Sequence, residues 1–268
     1  MTIRLRTLRW LLILAMCGVP FVPCLAQIAI SGSLTYEFFG ELGQHYSGSF
    51  EIANPSDAYV EVSVTQSDYL FFSDGSNQYA DVGTVVRSNA NWITVFLPDN
   101  LILAPGETMD IPFAVNVPSD PSLVGTYWSV FLVSPVLPLP TETDGMSIRQ
   151  LVRYAVQLVT HIGDGGDRSI EIFDARVEDT AAGRTLEVDV ENTGERWVRP
   201  ASWIEVYDSG GSLISRVDGY AKRIYPGTSV CYSFDLPDLQ SGTYKVLVVF
   251  DNALEDANIW GVQIDLSF

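Results

Sequence analysis

Catalytic and metal-binding chemistry draws on a small set of side chains, and this sequence is sparing with them. Beyond residue 26 the imidazoles and thiols are His45, His161 and Cys231, far apart along the chain. A zinc centre gathers three or four such groups in one ligand shell, so we expect no metal site. The sequence lacks Gly-x-Ser-x-Gly, the turn that presents a nucleophilic serine in α/β-hydrolases. Carboxylates are abundant, 33 in all, and two of them could flank a glycosidic bond. With so many, chance pairs are expected, and the number carries no weight. Asp164, Asp167 and Asp174 cluster near a run of glycines, but their spacing does not match a calcium-binding EF-hand loop. No glycine-rich loop leads from a strand into a helix to cradle a phosphate. The chain reads as a protein that is not an enzyme, without cofactor or metal. His45 is expected in a polar loop, His161 at the surface or at a hinge, and Cys231 as a small side chain within a strand.

The elements that would position these groups are strands. Leu186, Val188 and Val190 alternate with Glu187, Asp189 and Glu191. Val230, Tyr232, Phe234 and Leu236 alternate with Cys231, Ser233 and Asp235, and Val262, Ile264, Leu266 and Phe268 with Gln263, Asp265 and Ser267. Successive side chains on a strand point to opposite faces, so each run turns one apolar face inward. Turn residues punctuate the runs at Asn54-Pro55-Ser56-Asp57, Asn192-Thr193-Gly194 and Tyr225-Pro226-Gly227. An internal repeat follows: a Pro-Gly turn at 105–106 and again at 226–227, a strand, a proline, then Gly125-Thr126-Tyr127 and Gly242-Thr243-Tyr244 opening a further strand. Repetition at that distance means two copies of one domain. The predicted fold is all-β: two tandem immunoglobulin-like β-sandwiches over 27–162 and 168–268, joined by a Gly/Asp hinge at 163–167. Tyr127 and Tyr244 are expected to form the tyrosine corners of that fold, each hydroxyl reaching back to nearby backbone.

Residues 1–26 read as a secretory signal peptide: Arg4, Arg6 and Arg9, an apolar stretch to Val19, and Cys24-Leu25-Ala26 before the cleavage point. Those three arginines leave with it, so residues 27–268 hold 12 Lys and Arg against 33 Asp and Glu, a formal charge of −21. Such a surface repels nucleic acid and anionic lipid. Cys17 and Cys24 also leave, so Cys231 has no disulfide partner within the chain. No later segment is apolar and long enough for a membrane helix. The expected location is the periplasm, or secretion to the cell surface.

Val117-Pro118-Ser119-Asp120-Pro121-Ser122-Leu123, with Trp128 soon after, is similar to a Pro-x-Asp-x-x-Ser-Leu-x-Trp segment carrying an insertion. With the tandem architecture and a long strand at Ile148–Ile162, the chain resembles the periplasmic pilus-assembly chaperones of two immunoglobulin-like domains. The resemblance implies a cleft between domains in which a basic pair anchors a subunit's C-terminal carboxylate. It also implies a strand whose alternate apolar side chains fill a groove in that subunit. No arginine lies within Ile28–Phe39 and no lysine in 27–162, so the basic role passes by analogy to Arg149 or Arg153.

The expected function is that of an exported protein-binding or assembly protein, a chaperone for pilus-like or other surface subunits. It would act by β-strand addition along Ile148–Ile162 as an edge strand. The partner-binding residues would be Arg149, Arg153, Val152, Val156 and Leu158. The alternative is a cell-surface carbohydrate- or matrix-binding module using Tyr69, Phe71, Phe72 and Tyr79 as a stacking platform. A hydrolase with an unusual site is a third reading.

Overall fold

The computed structural model describes residues 27–137, 151–181, 183–252 and 258–268. Seventeen strands and no α-helix occur among them. Ten belong to the first half: β1 (Ala29–Ser31), β2 (Thr35–Gly40), β3 (His45–Ala53), β4 (Val60–Phe71), β5 (Asn77–Ala80), β6 (Ile93–Val95), β7 (Ile102–Leu103), β8 (Thr108–Asn116), β9 (Gly125–Pro135) and β10 (Tyr154–Ile162). Seven form the second: β11 (Ile170–Thr180), β12 (Gly183–Asn192), β13 (Ala201–Tyr207), β14 (Leu213–Asp218), β15 (Ser229–Asp235), β16 (Thr243–Asp251) and β17 (Ile259–Ser267).

The first sandwich packs the sheet β1-β3-β8-β6 against β2-β10-β9-β4-β5, with β7 also beside β4. The second packs β11-β12-β15 against β14-β13-β16-β17. No strand of one half pairs with a strand of the other. Alternation supplies each core. Phe50, Ile52, Ile111, Phe113, Phe131 and Val133 meet in the first, and Leu186, Val188, Val190, Tyr232, Phe234 and Phe250 in the second. The pairing of β2 with β10 is the one parallel contact between these strands.

The repeat is built around two buried asparagines. Asn54 Nδ2 donates to the carbonyls of Ala58, Leu103 and Ala104 at 2.8, 3.1 and 3.0 Å. Asn192 Nδ2 donates to those of Arg196 and Ile224, both at 2.9 Å. The backbone carbonyl of each asparagine also accepts the amide of the glycine that closes a Pro-Gly turn, Gly106 in one half and Gly227 in the other. Both glycines hold a positive φ, 71° and 74°, which a side chain would strain. The repeated sequence thus encodes one device twice: a side-chain amide tying a strand end to the turn before the next strand.

The tyrosine corner is present once. The Tyr244 hydroxyl donates to the Gln240 carbonyl at 2.9 Å. The Tyr127 ring instead packs 4.8 Å from Trp92, with the Arg87 guanidinium 5.1 Å above it. The first half has a charged neighbour from the domain junction where the second has Phe268, 6.2 Å away.

β10 departs from expectation in two ways. It begins at Tyr154, with Leu151–Arg153 outside any strand and residues 148–150 beyond the described ones. It is also an interior strand, because β9 pairs along all of it and β2 pairs with Gln157–Ile162. From Gln157 onward, the edge expected along its whole length is covered by the chain's own second strand.

Candidate functional site

β9 is buried almost without interruption. A strand with one solvated face alternates, whereas a strand covered on both faces reads as a continuous apolar run. Here Phe131 and Val133 face the first core, while Trp128 turns outward. The same holds for β10, with Val156 and Leu158 inward and Val159 outward. What covers the outer face is the second sandwich. Trp128, Val159, Trp197 and Tyr225 form one buried cluster, with Trp128 and Tyr225 stacked at 5.0 Å. The Trp128 indole N–H donates to the Tyr69 carbonyl at 2.8 Å, so its one polar atom is satisfied.

A polar chain runs beside this cluster. Thr126 Oγ1 accepts the Trp197 amide at 3.1 Å and lies 3.0 Å from His161 Nδ1. The Thr126 amide donates to the Glu195 carbonyl, and Arg87 pairs with the Glu195 carboxylate at 2.9 Å. The segment expected to be a free hinge is held by Arg196, which is only 4% exposed. Its guanidinium donates to the carbonyls of Ile162, Gly163 and Gly165 at 3.0, 2.5 and 2.6 Å. A planar fork of five N–H groups can serve several carbonyls at once, which an ammonium at that depth cannot match.

His161 is buried, not superficial. Burial, and then the charges of Arg196 and Arg168, lower its pKa from 6.5 to about 4. It is neutral at pH 7. Because the folded value lies below the unfolded one, the interface is unaffected above pH 6.5 and loses stability as pH falls from 6.5 to 4. The loss totals about 3 kcal/mol at roughly 1.4 kcal/mol per pH unit. His161→Phe should flatten this part of the profile, as read from melting temperatures across that range. An unchanged acid slope in the variant would refute the assignment.

On the β2 side of the cluster a cation of the second sandwich reaches the first. Arg223 is ion-paired with Glu37 of β2 and lies 4.6 Å from the Trp197 ring. The Tyr225 hydroxyl sits 3.3 Å from Gln157 Oε1. Burial raises the Tyr225 pKa to about 12, so it remains a neutral donor. Phe39, near the end of β2, is 73% exposed and packs 4.7 Å from His161.

The five residues expected to meet a partner are divided by the structure. Val156 and Leu158 are 0% and 1% exposed within the first core, so their side chains hold the sandwich together and are not presented outward. Val152 is half-buried and Arg153 exposed, both just before β10. Arg149 lies outside the described residues. Left out of the sequence reading were Arg196, Trp197, Arg223 and Tyr225 of the second sandwich. Their signal was two Arg-aromatic groupings within thirty residues, beside an uninterrupted apolar strand in the other domain.

Cys231 sits among carboxylates on the outer face of the second sandwich. Burial, a hydrogen bond to Asp189 and the charges of Asp189 and Glu187 raise its thiol to about 11, against a smaller opposing effect of Arg176. It is a protonated thiol and a poor nucleophile. No group of three or more His, Cys, Asp and Glu placed to hold a metal occurs among the described residues. No helix among them is long and apolar enough to cross a membrane.

No family model matches the chain, and no curated protein matches it in sequence. Solved structures do match in fold, and fimbrial chaperones are prominent among them. A chaperone–tip adhesin complex of CFA/I fimbriae covers 89% of this chain and 98% of its own, at 13% identity and a TM-score of 0.47. The YadV chaperone covers 89% and 100%, at 16% identity and 0.42. The CsuC–CsuE pre-assembly complex of Acinetobacter baumannii Csu pili covers 89% and 98%, at 13% identity and 0.42. A PapD-like domain of human CEP192 covers 51% of this chain and 85% of its own, at 15% identity and 0.33.

Proposed function

We propose that this is an exported, non-enzymatic assembly protein that holds an extended segment of another exported protein at the open end of β10. One observation carries the reading. β9 pairs with β10 from Tyr154 onward, but β2 begins only opposite Gln157. The Gln157 amide is bonded to the Leu34 carbonyl, so the backbone groups of Ala155, two residues earlier, turn to the same side. Beyond β2 no described strand lies on that side, and such a sheet edge is the place where an added strand gains main-chain hydrogen bonds. Arg153 stands exposed at its start, in keeping with a role for it beside the captured strand. Arg223 is the cation that reaches β2 from the second sandwich, and a partner carboxylate would compete with Glu37 for it.

Ala155→Pro tests this. The substitution removes an edge N–H without touching the bonds to β9, a position where proline is tolerated. Affinity capture from an envelope fraction should lose its secreted β-rich partners while melting stays within about 1 °C of the parent. An unchanged partner set would sink the proposal.

The carbohydrate-binding reading has one observation in its favour. Tyr69 and Tyr79 stack at 5.1 Å on the β4–β5 hairpin, and Tyr79 is 45% exposed. Phe71, expected on the same platform, is directed to Tyr225 and the domain junction. Glycan-array binding lost on Tyr79→Ala would favour it over strand capture.

A further inference from the structure

The two sandwiches close differently at the edge of their last strand. In the first, β2 lies parallel to β10 and brings Tyr36 and Phe38 against the core. In the second, β11 stays with β12 for its full length, and no described strand lies beside β17. Phe268 and Gly242 exchange both amide–carbonyl bonds. By antiparallel alternation, the even-numbered residues of β17 bond to β16. The backbone groups of Ile259, Gly261, Gln263, Asp265 and Ser267 therefore face the open side. The core beside them is also open. Trp260, Val262, Ile264 and Leu266 are only partly buried, as are Ile172, Ala175 and Val177 opposite. A groove of about 660 Å³ runs between Ile170–Ile172 and Ile259–Val262.

We infer that this groove is a second acceptor edge, and that its occupant is an extended segment of another protein with apolar residues at alternate positions and Lys or Arg between them. The first sandwich supplies the template for the apolar half of that pattern: β2 is an extended segment with Tyr36 and Phe38 inward, seated in the matching place, though its intervening residue is Glu37. Charge selects the partner. Glu171 lines the groove and is exposed, Asp265 stands exposed farther along β17 opposite Lys245, and residues 27–268 carry −21, so a cationic strand is drawn in and a second copy of this chain repelled. The site is distinct from the β10 edge, and the two can fail independently.

The test uses a labelled nine-residue peptide in which lysine alternates with phenylalanine and valine. Binding is followed by anisotropy, and backbone exchange along β17 by NMR. In the free protein, amides of Gly261, Gln263 and Asp265 should exchange fast and those of Val262 and Ile264 slowly. Peptide should slow the fast set. Gln263→Pro, which spares the bonds to β16, should weaken binding at least tenfold, and Asp265→Lys about threefold or more. Ala155→Pro should leave this binding unchanged. Binding that is absent, or indifferent to Gln263→Pro, overturns the inference. So does protection of the odd-numbered amides without peptide: if it grows with protein concentration the occupant is a second copy, and if it does not, a segment of this chain fills the groove.

Discussion

Arg196→Met uncouples the two sandwiches without unfolding either. Arg196 contributes nothing to either hydrophobic core; its guanidinium holds the carbonyls of Ile162, Gly163 and Gly165, at the point where one sandwich ends and the next begins. A hydrogen bond from a charged donor contributes about 1.5–3 kcal/mol, and a buried carbonyl stripped of its donor costs as much again. Solvent can reach the freed carbonyls once the linker moves, so the expected loss is about 3 kcal/mol, falling on the junction alone. Calorimetry should show one cooperative transition in the parent and two in the variant, with a larger radius of gyration by X-ray scattering. Arg196→Lys should behave nearly as badly, because an ammonium lacks the planar fork. A single unaltered transition in both variants would mean that the Trp128–Tyr225 stack suffices to hold the junction. With Arg196 removed, one of the two cations beside His161 is gone, and its pKa should move back toward 6.5.

The second large effect is expected at Asn192. Its side chain is fully buried, donates to the carbonyls of Arg196 and Ile224, and accepts the Gly194 amide at 2.9 Å. Asn192→Ala removes three hydrogen bonds made by one buried side chain, at about 0.5–1.5 kcal/mol each, while the Ile224 carbonyl keeps the Val198 amide and the Gly194 amide keeps the Ser169 carbonyl. Allowing for relaxation, the second sandwich should lose about 3 kcal/mol, which for a domain of this size lowers its melting temperature by roughly 12 °C or more. Asn54→Ala should do the same to the first sandwich. If Asn192→Ala shifts the melting temperature by less than about 3 °C, the amide is incidental and the repeated Pro-Gly turn is held by its own backbone.

The sandwiches were legible because their signals are local. Alternation at Leu186–Val190 and Val230–Leu236 reports which face is buried, and the Asn-led turns with their Pro-Gly partners mark where strands reverse. The site was less legible, for a geometric reason. Whether a strand lies at an edge depends on what pairs beside it, and the neighbour of β10 is β2, far upstream. Val156 and Leu158 look alike in sequence whether they face a partner or their own core. Arg196 and Arg223 gain their roles only when the second sandwich docks. The failed tyrosine corner has the same origin: Gly125-Thr126-Tyr127 matches Gly242-Thr243-Tyr244 in sequence, but Arg87 and Trp92 pack on the first tyrosine, whereas the second meets Phe268 at 6.2 Å and keeps its hydroxyl on the Gln240 carbonyl.

The parallel contact of β2 with β10 also sets an order of events during synthesis. Thr35 and Gln157 meet across 122 positions, so β2 has no lateral neighbour until nearly all of the first sandwich has emerged. Closing so long a loop is slow relative to forming hairpins, and β11 with β12 is a hairpin. The nascent first sandwich must therefore wait, its last strand without a partner on one side, as β17 is among the described strands. During that interval β10 offers a free edge of its own, which invites pairing with other extended chains.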